Sequence, residues 1–434
     1  MTTAPHEDSA AHDVPTAQPA TTKAPRTQAA AEQGTIAHAT DAQAADVRTA
    51  SAQARRSLAG TLPAFPWDAL TQARATAAAH SDGIVDLSVG TPVDPTPEAV
   101  QRALAEASNS PGYPTTQGTD ELRDAIVDFT RRRRGAIPAV DRAAVLPTIG
   151  SKELVAHLPF QLGIRAGEVI VHPAVAYPTY DMGARLVGAH AVGLDPRELA
   201  AHGDEAVSAA GADPDRVRLL WLNSPSNPTG EVLDADTLAA LVTWARSRGI
   251  VIASDECYAL LPWTVDEVPS VLDARVNGGR LDGLLCVYSL SKQSNLAGYR
   301  AAFVAGDPEL IGELLAVRKQ AGMMLPGPVQ HAMTVALGDD DAVRHQHERY
   351  RARREVLAPA VEAAGGRIHG SQAGLYLWTT FGEDALESVA RLAEAGILVA
   401  PGVFYGGPGG TFVRIALTAT DERIAAAAER LHRL

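Results

Sequence analysis

The strongest constraint on the fold is a series of near-continuous apolar runs in the middle of the chain, separated by helical patterns. Strands buried on both faces read as continuous apolar runs, whereas a strand with one solvated face alternates apolar and polar residues. The pattern therefore predicts an α/β fold whose large domain has a mostly parallel, seven-stranded sheet sandwiched by helices. The predicted strands span residues 144–146, 169–172, 217–222, 250–254, 284–288 and 302–305.

The two ends of the chain differ from this middle part. Residues 1–57 are rich in Ala and Thr and almost lack Leu, Ile and Phe, so they are predicted to be a disordered extension. A docked alanine-rich helix over residues 42–58 is the alternative. Residues 58–95 are interpreted as an N-terminal arm that forms part of a small domain. Residues 96–330 are predicted to be the large domain, and residues 331–434 the C-terminal small α+β domain.

Bulk properties exclude several classes of protein. The 434 residues leave room for two or three domains, and a net charge of −13 argues against a general binder of nucleic acid or anionic membranes. Cys257 and Cys286 each lie in or just after an apolar run and are interpreted as reduced core residues. No apolar run reaches the about 18 residues of a membrane span, so a cytoplasmic protein is expected.

Chemistry-bearing residues concentrate after the run at 284–288. The stretch reads Ser289-Leu-Ser291-Lys292, and Arg300 follows. A lysine in a dry pocket becomes a neutral amine that can attack a carbonyl, and the hydroxyls and guanidinium beside it suit a phosphate. A solvated lysine after an edge strand is the structural alternative. Ser-x-x-Lys also occurs in penicillin-recognising hydrolases, but Lys-Thr-Gly and Ser-Asp-Asn are both absent from this sequence.

Other polar residues follow other predicted strands, where α/β sheets bind ligands. Gly150-Ser151-Lys152 begins a helix and suits a phosphate, although a helix cap explains Ser151 equally well. Tyr177 could stack on a flat ring or belong to the core. The segment 223–230 holds two asparagines among prolines and a glycine, and Asp255 needs a cation because it ends a buried strand. Four arginines, 131–134, are interpreted as a solvated helix end.

These residue types together indicate pyridoxal phosphate as the cofactor. The lysine can form an imine with it, the acid can pair with its ring nitrogen, and Asn and Tyr can bond its phenolic oxygen. The remaining donors can form a phosphate-binding site. The motifs Asn-Pro-Thr-Gly at 227–230, Asp-x-x-Tyr at 255–258 and Ser-x-Ser-Lys at 289–292, followed by Arg300, occur in this order. Together they resemble the class I aminotransferases of pyridoxal phosphate fold type I. The resemblance covers residues 62–434.

The resemblance implies a role for each matching residue. Lys292 would form a Schiff base with pyridoxal 5′-phosphate and move the proton between substrate and cofactor, and Asp255 would keep the ring nitrogen protonated. The ring would also contact Asn227, Tyr258 and Tyr177. The implied phosphate ligands are Ser151, Lys152 through its backbone, Ser289 and Arg300, with Ser291 as a further donor.

The resemblance also implies how substrate and a second subunit contribute. Arg414 matches the arginine that clamps the substrate α-carboxylate, with Gly90 and Asn227 beside it. Tyr113 matches a tyrosine that reaches the phosphate from the neighbouring subunit, so a homodimer with shared sites is implied. The expected partners are amino acids and 2-oxo acids, without nucleic acid, membrane or metal.

Four longer stretches resemble bacterial succinyldiaminopimelate aminotransferases: 65–68, 88–95, 291–300 and 400–406. This likeness implies transfer of an amino group between glutamate and N-succinyl-2-amino-6-oxopimelate in lysine and diaminopimelate synthesis. Prephenate is an alternative acceptor. Candidate readers of the distal end of the substrate are Arg318, Lys319 and Gln320.

Two other classes remain open from the sequence. A pyridoxal phosphate lyase or racemase of fold type I would share every cofactor contact. A transcription regulator with an aminotransferase-like domain would need a basic helix-turn-helix ahead of residue 62, and the sequence there offers no such pattern.

Overall fold

The computed structural model describes residues 62–63 and 66–434. The predictions for residues 1–57, a disordered extension or a docked helix, lie outside the described residues. Within the described ranges, no helix combines the length and the apolar composition that crossing a membrane requires.

Strands occur throughout the described part of the chain and group into three sheets. In chain order they are β1 (Val85–Asp86), β2 (Val145–Ile149), β3 (Val169–Pro173), β4 (His190–Leu194), β5 (Val217–Asn223), β6 (Val251–Asp255), β7 (Leu284–Ser289), β8 (Ala301–Gly306), β9 (Arg367–His369), β10 (Tyr376–Thr380), β11 (Ile397–Leu398), β12 (Ala400–Pro401) and β13 (Phe412–Ala416).

Helices alternate with these strands over most of the described residues. In chain order they are α1 (Thr71–Ala78), α2 (Glu98–Glu106), α3 (Asp120–Arg134), α4 (Ser151–Gln161), α5 (Thr179–Val187), α6 (Pro196–His202), α7 (Asp204–Ala209), α8 (Ala235–Ser247), α9 (Ala274–Asn277), α10 (Leu290–Gln293), α11 (Pro308–Ala321), α12 (Gly327–Gly338), α13 (Asp340–Ala363), α14 (Ala385–Glu394) and α15 (Asp421–Leu431).

The largest sheet has seven strands in the order β2-β8-β7-β6-β5-β3-β4. All neighbours are parallel except β8, which is antiparallel to both β2 and β7. The chain runs outward from β3 to β4 and then returns to place β5 on the other side of β3. This reversal creates a crevice at the carboxyl ends of β3 and β5, which is where open α/β sheets bind ligands.

Alternate residues of the central strands face two helical layers. Leu219 and Trp221 of β5 pack with α4, α5 and α11, whereas Leu220 and Leu222 pack with α3 and α8. All four side chains are buried. Each buried side chain of this kind contributes about 1.5–3 kcal/mol relative to an exposed one. The prediction of an α/β sandwich around a mostly parallel sheet is confirmed.

A second, smaller sheet has the order β12-β13-β10-β9, and all its pairs are antiparallel. Its core includes residues of α13, α14 and α15 together with Val85 and Leu87 near the start of the described chain. The backbone amide of Ala416 donates to Leu87 O (2.9 Å), so residues near β1 attach to this α+β unit. The domain limits 58–95, 96–330 and 331–434 stay predictions.

Three differences from the predicted elements have a local cause. The apolar residues within 84–90 predict a strand over that whole stretch, but the strand shortens to β1, whose ladder is the two-residue parallel pair with β11. The edge strands β4 and β9 were missed, since their residues are mostly exposed or half-buried and form no apolar run.

The four arginines at the end of α3 do not share one environment. Thr119 caps the start of this helix, and Gly135 ends it in the left-handed conformation. The prediction of a solvated end is wrong for Arg134, which is 5% exposed. Its guanidinium donates twice to Glu256 Oε2, at 2.7 and 3.1 Å, because a buried charge is tolerated only when it is paired and hydrogen-bonded.

Candidate active site

A cavity of about 540 Å³ opens at the carboxyl ends of β5, β6 and β7. It brings together every residue predicted to bind the cofactor or the substrate α-carboxylate except Tyr113. These residues are Gly90, Ser151, Lys152, Tyr177, Asn227, Asp255, Tyr258, Ser289, Ser291, Lys292, Arg300 and Arg414. Tyr113 lies outside this cavity, and its side chain is 96% exposed.

Lys292 lies on α10, one short turn after β7. Its Nζ donates a hydrogen bond to the backbone oxygen of Gly90. Burial lowers the pKa of Lys292, the positive charge of Arg414 acts in the same direction, and the Tyr376 hydroxyl opposes them. The lysine is therefore biased toward the neutral amine that nucleophilic attack on a carbonyl requires.

Asp255 ends β6 and points into the cavity. Its carboxylate accepts hydrogen bonds from the Tyr180 hydroxyl (3.0 Å) and from the Cys257 amide (3.2 Å), which are both neutral donors. Burial raises the pKa of Asp255 because these donors do not fully replace the lost hydration. A cationic ring nitrogen beside this carboxylate would favour its ionised form.

The asparagine-rich segment after β5 is fixed by its own hydrogen bonds. Asn223 donates to Pro225 O (3.1 Å) and to Asp255 O (3.0 Å), and its side-chain oxygen accepts from the Asn227 amide (2.7 Å). The Asn223 side chain therefore ties two strand ends together. Asn227 is left to face the cavity, where its side-chain oxygen accepts from Arg414.

Arg414 reaches the cavity from the middle of β13 and is 3% exposed. Its guanidinium donates to Asn227 Oδ1 (3.0 Å) and to Ser88 O (2.7 Å). The ring of Tyr376 lies 4.0 Å from its guanidinium carbon and that of Tyr405 lies 5.0 Å away. Among the described residues, Arg414 Nε has no hydrogen-bond partner. A guanidinium held in this way can take a carboxylate.

One end of the cavity collects donors suited to a phosphate. Gly150 precedes α4 with φ of +77°, so the first amides of this helix are free to face an anion. Ser289 donates to the Ser291 hydroxyl (2.9 Å). The Arg300 guanidinium packs against Gly150, where an added Cβ would lie 2.1 Å from Nη2. Only glycine allows this approach of the arginine to the helix start.

The residues proposed from sequence to read the distal part of a substrate are not in the cavity. Arg318 is fully buried, and both its terminal nitrogens bond the carboxylate of Glu153 (3.1 and 3.0 Å). Lys319 and Gln320 are exposed and do not line the cavity. A further cation that lines the cavity, besides Lys152, Lys292, Arg300 and Arg414, is Arg74 of α1. Its side chain is 49% exposed and pairs with Asp86 (2.8 Å).

Sequence reasoning also missed Tyr180, Tyr376 and Trp67 as cavity residues. Tyr180 follows Tyr177 by three residues, just inside α5, and the two rings pack edge to face with their centroids 5.9 Å apart. This spacing was the available signal. For Tyr376 the sequence gives no signal, because it begins a buried strand in which every residue is apolar or small.

Comparison with known proteins identifies the family. The family model for aminotransferases of class I and II matches residues 82–431. The chain belongs to this family.

Two relatives match most of this chain at more than 50% identity. A probable aminotransferase of Mycobacterium tuberculosis is 54% identical over 384 residues, 88% of each protein. The 4-dedimethylamino-4-oxo-anhydrotetracycline transaminase OxyQ of Streptomyces rimosus is 53% identical over 371 residues, 85% of this chain and 99% of the relative. A solved structure of a probable N-succinyldiaminopimelate aminotransferase from Thermus thermophilus has a TM-score of 0.74 and 30% identity, covering 85% of this chain and all of that one.

Aminotransferases of this class and fold depend on pyridoxal phosphate, and the cavity fits that cofactor. Lys292 offers an amine whose charged form is disfavoured by burial, and Asp255 is a buried acid held by neutral donors. The helix start at Gly150 and the Arg300 guanidinium supply phosphate donors at one end. The predictions of the class, the fold type and the cofactor are confirmed.

Proposed function

We propose that this aminotransferase moves an amino group between glutamate and an oxo acid that carries a second carboxylate, N-succinyl-2-amino-6-oxopimelate. The observation that carries the proposal is the placement of a desolvated lysine and a buried arginine in one cavity. Lys292 supplies an amine and Arg414 a carboxylate clamp, and both line this cavity. The remaining residues are proposed to orient cofactor and substrate between them.

The cofactor contacts are proposed as follows. Pyridoxal phosphate supplies an aldehyde for the amine and a ring that accepts the electron pair of the bond broken at the substrate Cα. Asp255 would hold the proton on the ring nitrogen, and Tyr177 would cover a ring face. Asn227 and Tyr258 would bond the ring oxygen. The proposed phosphate donors are Ser151, the Lys152 amide, Ser289, Ser291 and Arg300.

Lys292 is proposed to move the proton in the reaction. Because burial disfavours its charged form, the amine can take the proton from the substrate Cα and return it to the cofactor carbon. The Gly90 carbonyl accepts from this amine and holds Nζ near the clamp. Arg414 fixes the α-carboxylate, which in turn fixes the direction of the Cα–H bond.

Arg74 supports an acceptor with a second carboxylate. It is a half-exposed cation at the cavity, separate from Arg414, and only one of its nitrogens bonds Asp86. The Thermus thermophilus neighbour bears the name of a probable N-succinyldiaminopimelate aminotransferase. Prephenate also carries two carboxylates and stays an alternative acceptor in this proposal.

A second acceptor class follows from the relative OxyQ, which is named for a tetracyclic ketone and is 53% identical. A flat polycyclic ketone would need aromatic walls, and the cavity presents Trp67, Tyr177 and Tyr376. Such an acceptor lacks an α-carboxylate, so its amination would not depend on Arg414, whereas the glutamate half-reaction would.

We also propose a cytoplasmic homodimer in which Tyr113 contributes to the phosphate end of the partner subunit's cavity. The support is that Tyr113 is 96% exposed, so its side chain is accessible to a partner subunit. Cys257 and Cys286 are free and buried, which agrees with a reducing compartment.

A panel of acceptors with glutamate as donor tests the proposal. The panel contains the succinylated oxo acid, prephenate, oxaloacetate, pyruvate and a tetracyclic ketone, with 2-oxoglutarate release as readout. Release that requires an acceptor and is fastest with the succinylated oxo acid is expected. Release of ammonia or carbon dioxide from glutamate without an acceptor would instead indicate a lyase. Borohydride reduction and peptide mapping should find the cofactor on Lys292.

A further inference from the structure

Tyr376 is a cavity residue without a part in the reaction proposed above. It begins β10, and its side chain is 3% exposed. Its hydroxyl lies 3.2 Å from the hydroxyl of Tyr258, within hydrogen-bond distance. A Cβ added to Gly90 would lie 2.1 Å from the same oxygen, so the Tyr376 hydroxyl is wedged between Gly90 and Tyr258.

The ring of Tyr376 contacts the carboxylate clamp. The Arg414 guanidinium carbon lies 4.0 Å from the ring centroid, closer than to any other aromatic ring among the described residues. Tyr376 therefore joins two parts of the cavity, the arginine on one side and the Tyr258 hydroxyl on the other. No other residue of the described cavity makes both contacts.

Either tyrosine can be the donor in the hydrogen bond between the Tyr258 and Tyr376 hydroxyls. A phenol has one proton to donate, so Tyr258 either gives it to Tyr376 or keeps it for a third group. If Tyr376 donates, the Tyr258 proton is free for the cofactor ring oxygen. If Tyr376 is ionised, it can only accept, and the Tyr258 proton is drawn toward it.

The charges around the pair shift the balance toward the second arrangement in the free enzyme. Burial alone would raise the pKa of Tyr376, but the positive charge of Arg414, together with that of Lys292 whenever the lysine is protonated, outweighs burial and lowers that pKa. Burial raises the pKa of Tyr258 well above its ordinary value. A substrate carboxylate on Arg414 would offset the guanidinium charge and return the proton to Tyr376. Electrostatic interactions or hydrogen bonds link the pKa of Tyr376 to those of other titratable groups. These groups are Tyr177, Tyr258, Lys292, Tyr350, Tyr405 and Arg414.

We propose that Tyr376 is a positioning residue that turns the Tyr258 hydroxyl toward the cofactor ring oxygen when a carboxylate occupies Arg414. The proposal rests on the proposed function, in which Tyr258 bonds that oxygen and Arg414 binds the substrate. It adds a link by which occupation of the clamp changes the hydrogen bonding of the cofactor.

Tyrosine NMR of the cofactor-loaded, full-length enzyme tests the link. With ¹³Cζ-labelled tyrosine, one of the nine tyrosines should ionise below the others, and succinate at saturation should move that step upward by about one pH unit. Saturation is judged from competition with glutamate. The step should vanish in Tyr376→Phe, which keeps the ring under Arg414.

Tyr405→Phe is the matched control. It removes a buried hydroxyl whose ring lies 5.0 Å from the same guanidinium, and among the described residues this hydroxyl has no hydrogen-bond partner. The early step should persist in this variant. Loss of the step in both variants, its survival in Tyr376→Phe, or an unmoved step under succinate would overturn the proposal.

Steady-state kinetics provide a second readout. Tyr376→Phe should lower kcat by about tenfold while the KM for glutamate changes by less than about threefold, because the contact to Arg414 remains. A raised KM with unchanged kcat would assign Tyr376 to substrate binding alone and overturn the link. Absence of transamination by the unmodified enzyme would instead refute the proposed function.

Discussion

The two walls of the cavity are built in different ways. On the large sheet, Asn223, Asp255 and Ser289 are the last residues of parallel strands, and the residues that matter follow them within a few positions. On the small sheet, Arg414 lies in the middle of β13 and Tyr376 at the start of β10. The first wall is therefore made of short contiguous segments, and the second of single residues brought together by strand pairing.

The two walls also differ in whether their buried basic residue keeps its charge. Lys292, on the first wall, has its pKa lowered by burial, so its charge is disfavoured. Arg414, on the second, keeps its charge although it is equally enclosed, since aromatic faces and two oxygens surround it. The comparison assigns the proton chemistry to the first wall and the binding of the substrate carboxylate to Arg414 of the second. Four substitutions test this division.

The largest effect is expected for Lys292→Ala. Removal of the amine should reduce turnover by about 10⁴-fold or more, because the lost group is chemical and no other residue replaces it. The circular dichroism spectrum should stay unchanged. Lys319→Ala, at an exposed lysine of α11 outside the cavity, is the control and should keep full turnover. Substantial turnover of Lys292→Ala would place the chemistry elsewhere.

Asp255→Asn should lower turnover by about 10²–10³-fold, because a preorganised charge is lost. The pH dependence of the free energy of unfolding tests the same residue independently. The pKa of Asp255 is raised above its ordinary 3.8, so without cofactor the folded state retains a proton that the unfolded state releases, and stability falls as pH rises. Melting of the cofactor-free protein between pH 4 and 7 should show a smaller fall for Asp255→Asn. An equal fall would contradict the assignment.

Arg414→Lys should raise the KM for amino acids by about 10- to 100-fold and change kcat less, because an ammonium cannot make the two-pronged contact to a carboxylate. Arg430→Lys is the control. Arg430 is a 5% exposed arginine that bonds the backbone oxygens of Gly396 and Asp82, away from the cavity. If kcat fell and KM did not change, Arg414 would act in the chemistry and not in substrate binding, and this assignment would fail.

The smallest effect is expected for Arg74→Gln. A half-exposed pair is worth no more than about 1 kcal/mol, which corresponds to about fivefold in kcat/KM. The loss should appear with glutamate and not with alanine, which has no second carboxylate. Arg102→Gln, at an exposed arginine paired only with Glu98, is the control. Equal losses for both donors would remove Arg74 from substrate recognition.

The difference between the walls also explains what the sequence could predict. Lys292, Asp255 and Asn227 were found because their motifs are contiguous and follow apolar runs that are strands in the structure. Arg414 was found through the family resemblance. Arg74 was missed because nothing in an alanine-rich helix marks one arginine as facing a cavity.

Two wrong assignments had a signal in the sequence. In α11, Arg318 lies three and seven residues after the apolar positions 315 and 311, on the buried helical face, and it pairs with Glu153 there. Arg134 likewise follows the buried positions of α3 at a helical interval. Charged residues on an apolar helical face indicate a buried partner, which sequence alone does not locate.

The end of β6 points two neighbouring acids in opposite directions. Asp255 enters the cavity, whereas Glu256 accepts from Ser254 Oγ and from Arg134 on the other side of the sheet. Because side chains alternate along a strand, inserting or deleting one residue in β6 would reverse the faces to which the two carboxylates point. A chimera or loop graft at this point must therefore change the length of β6 by an even number of residues or not at all. Otherwise Asp255 would face Arg134 instead of the cofactor site.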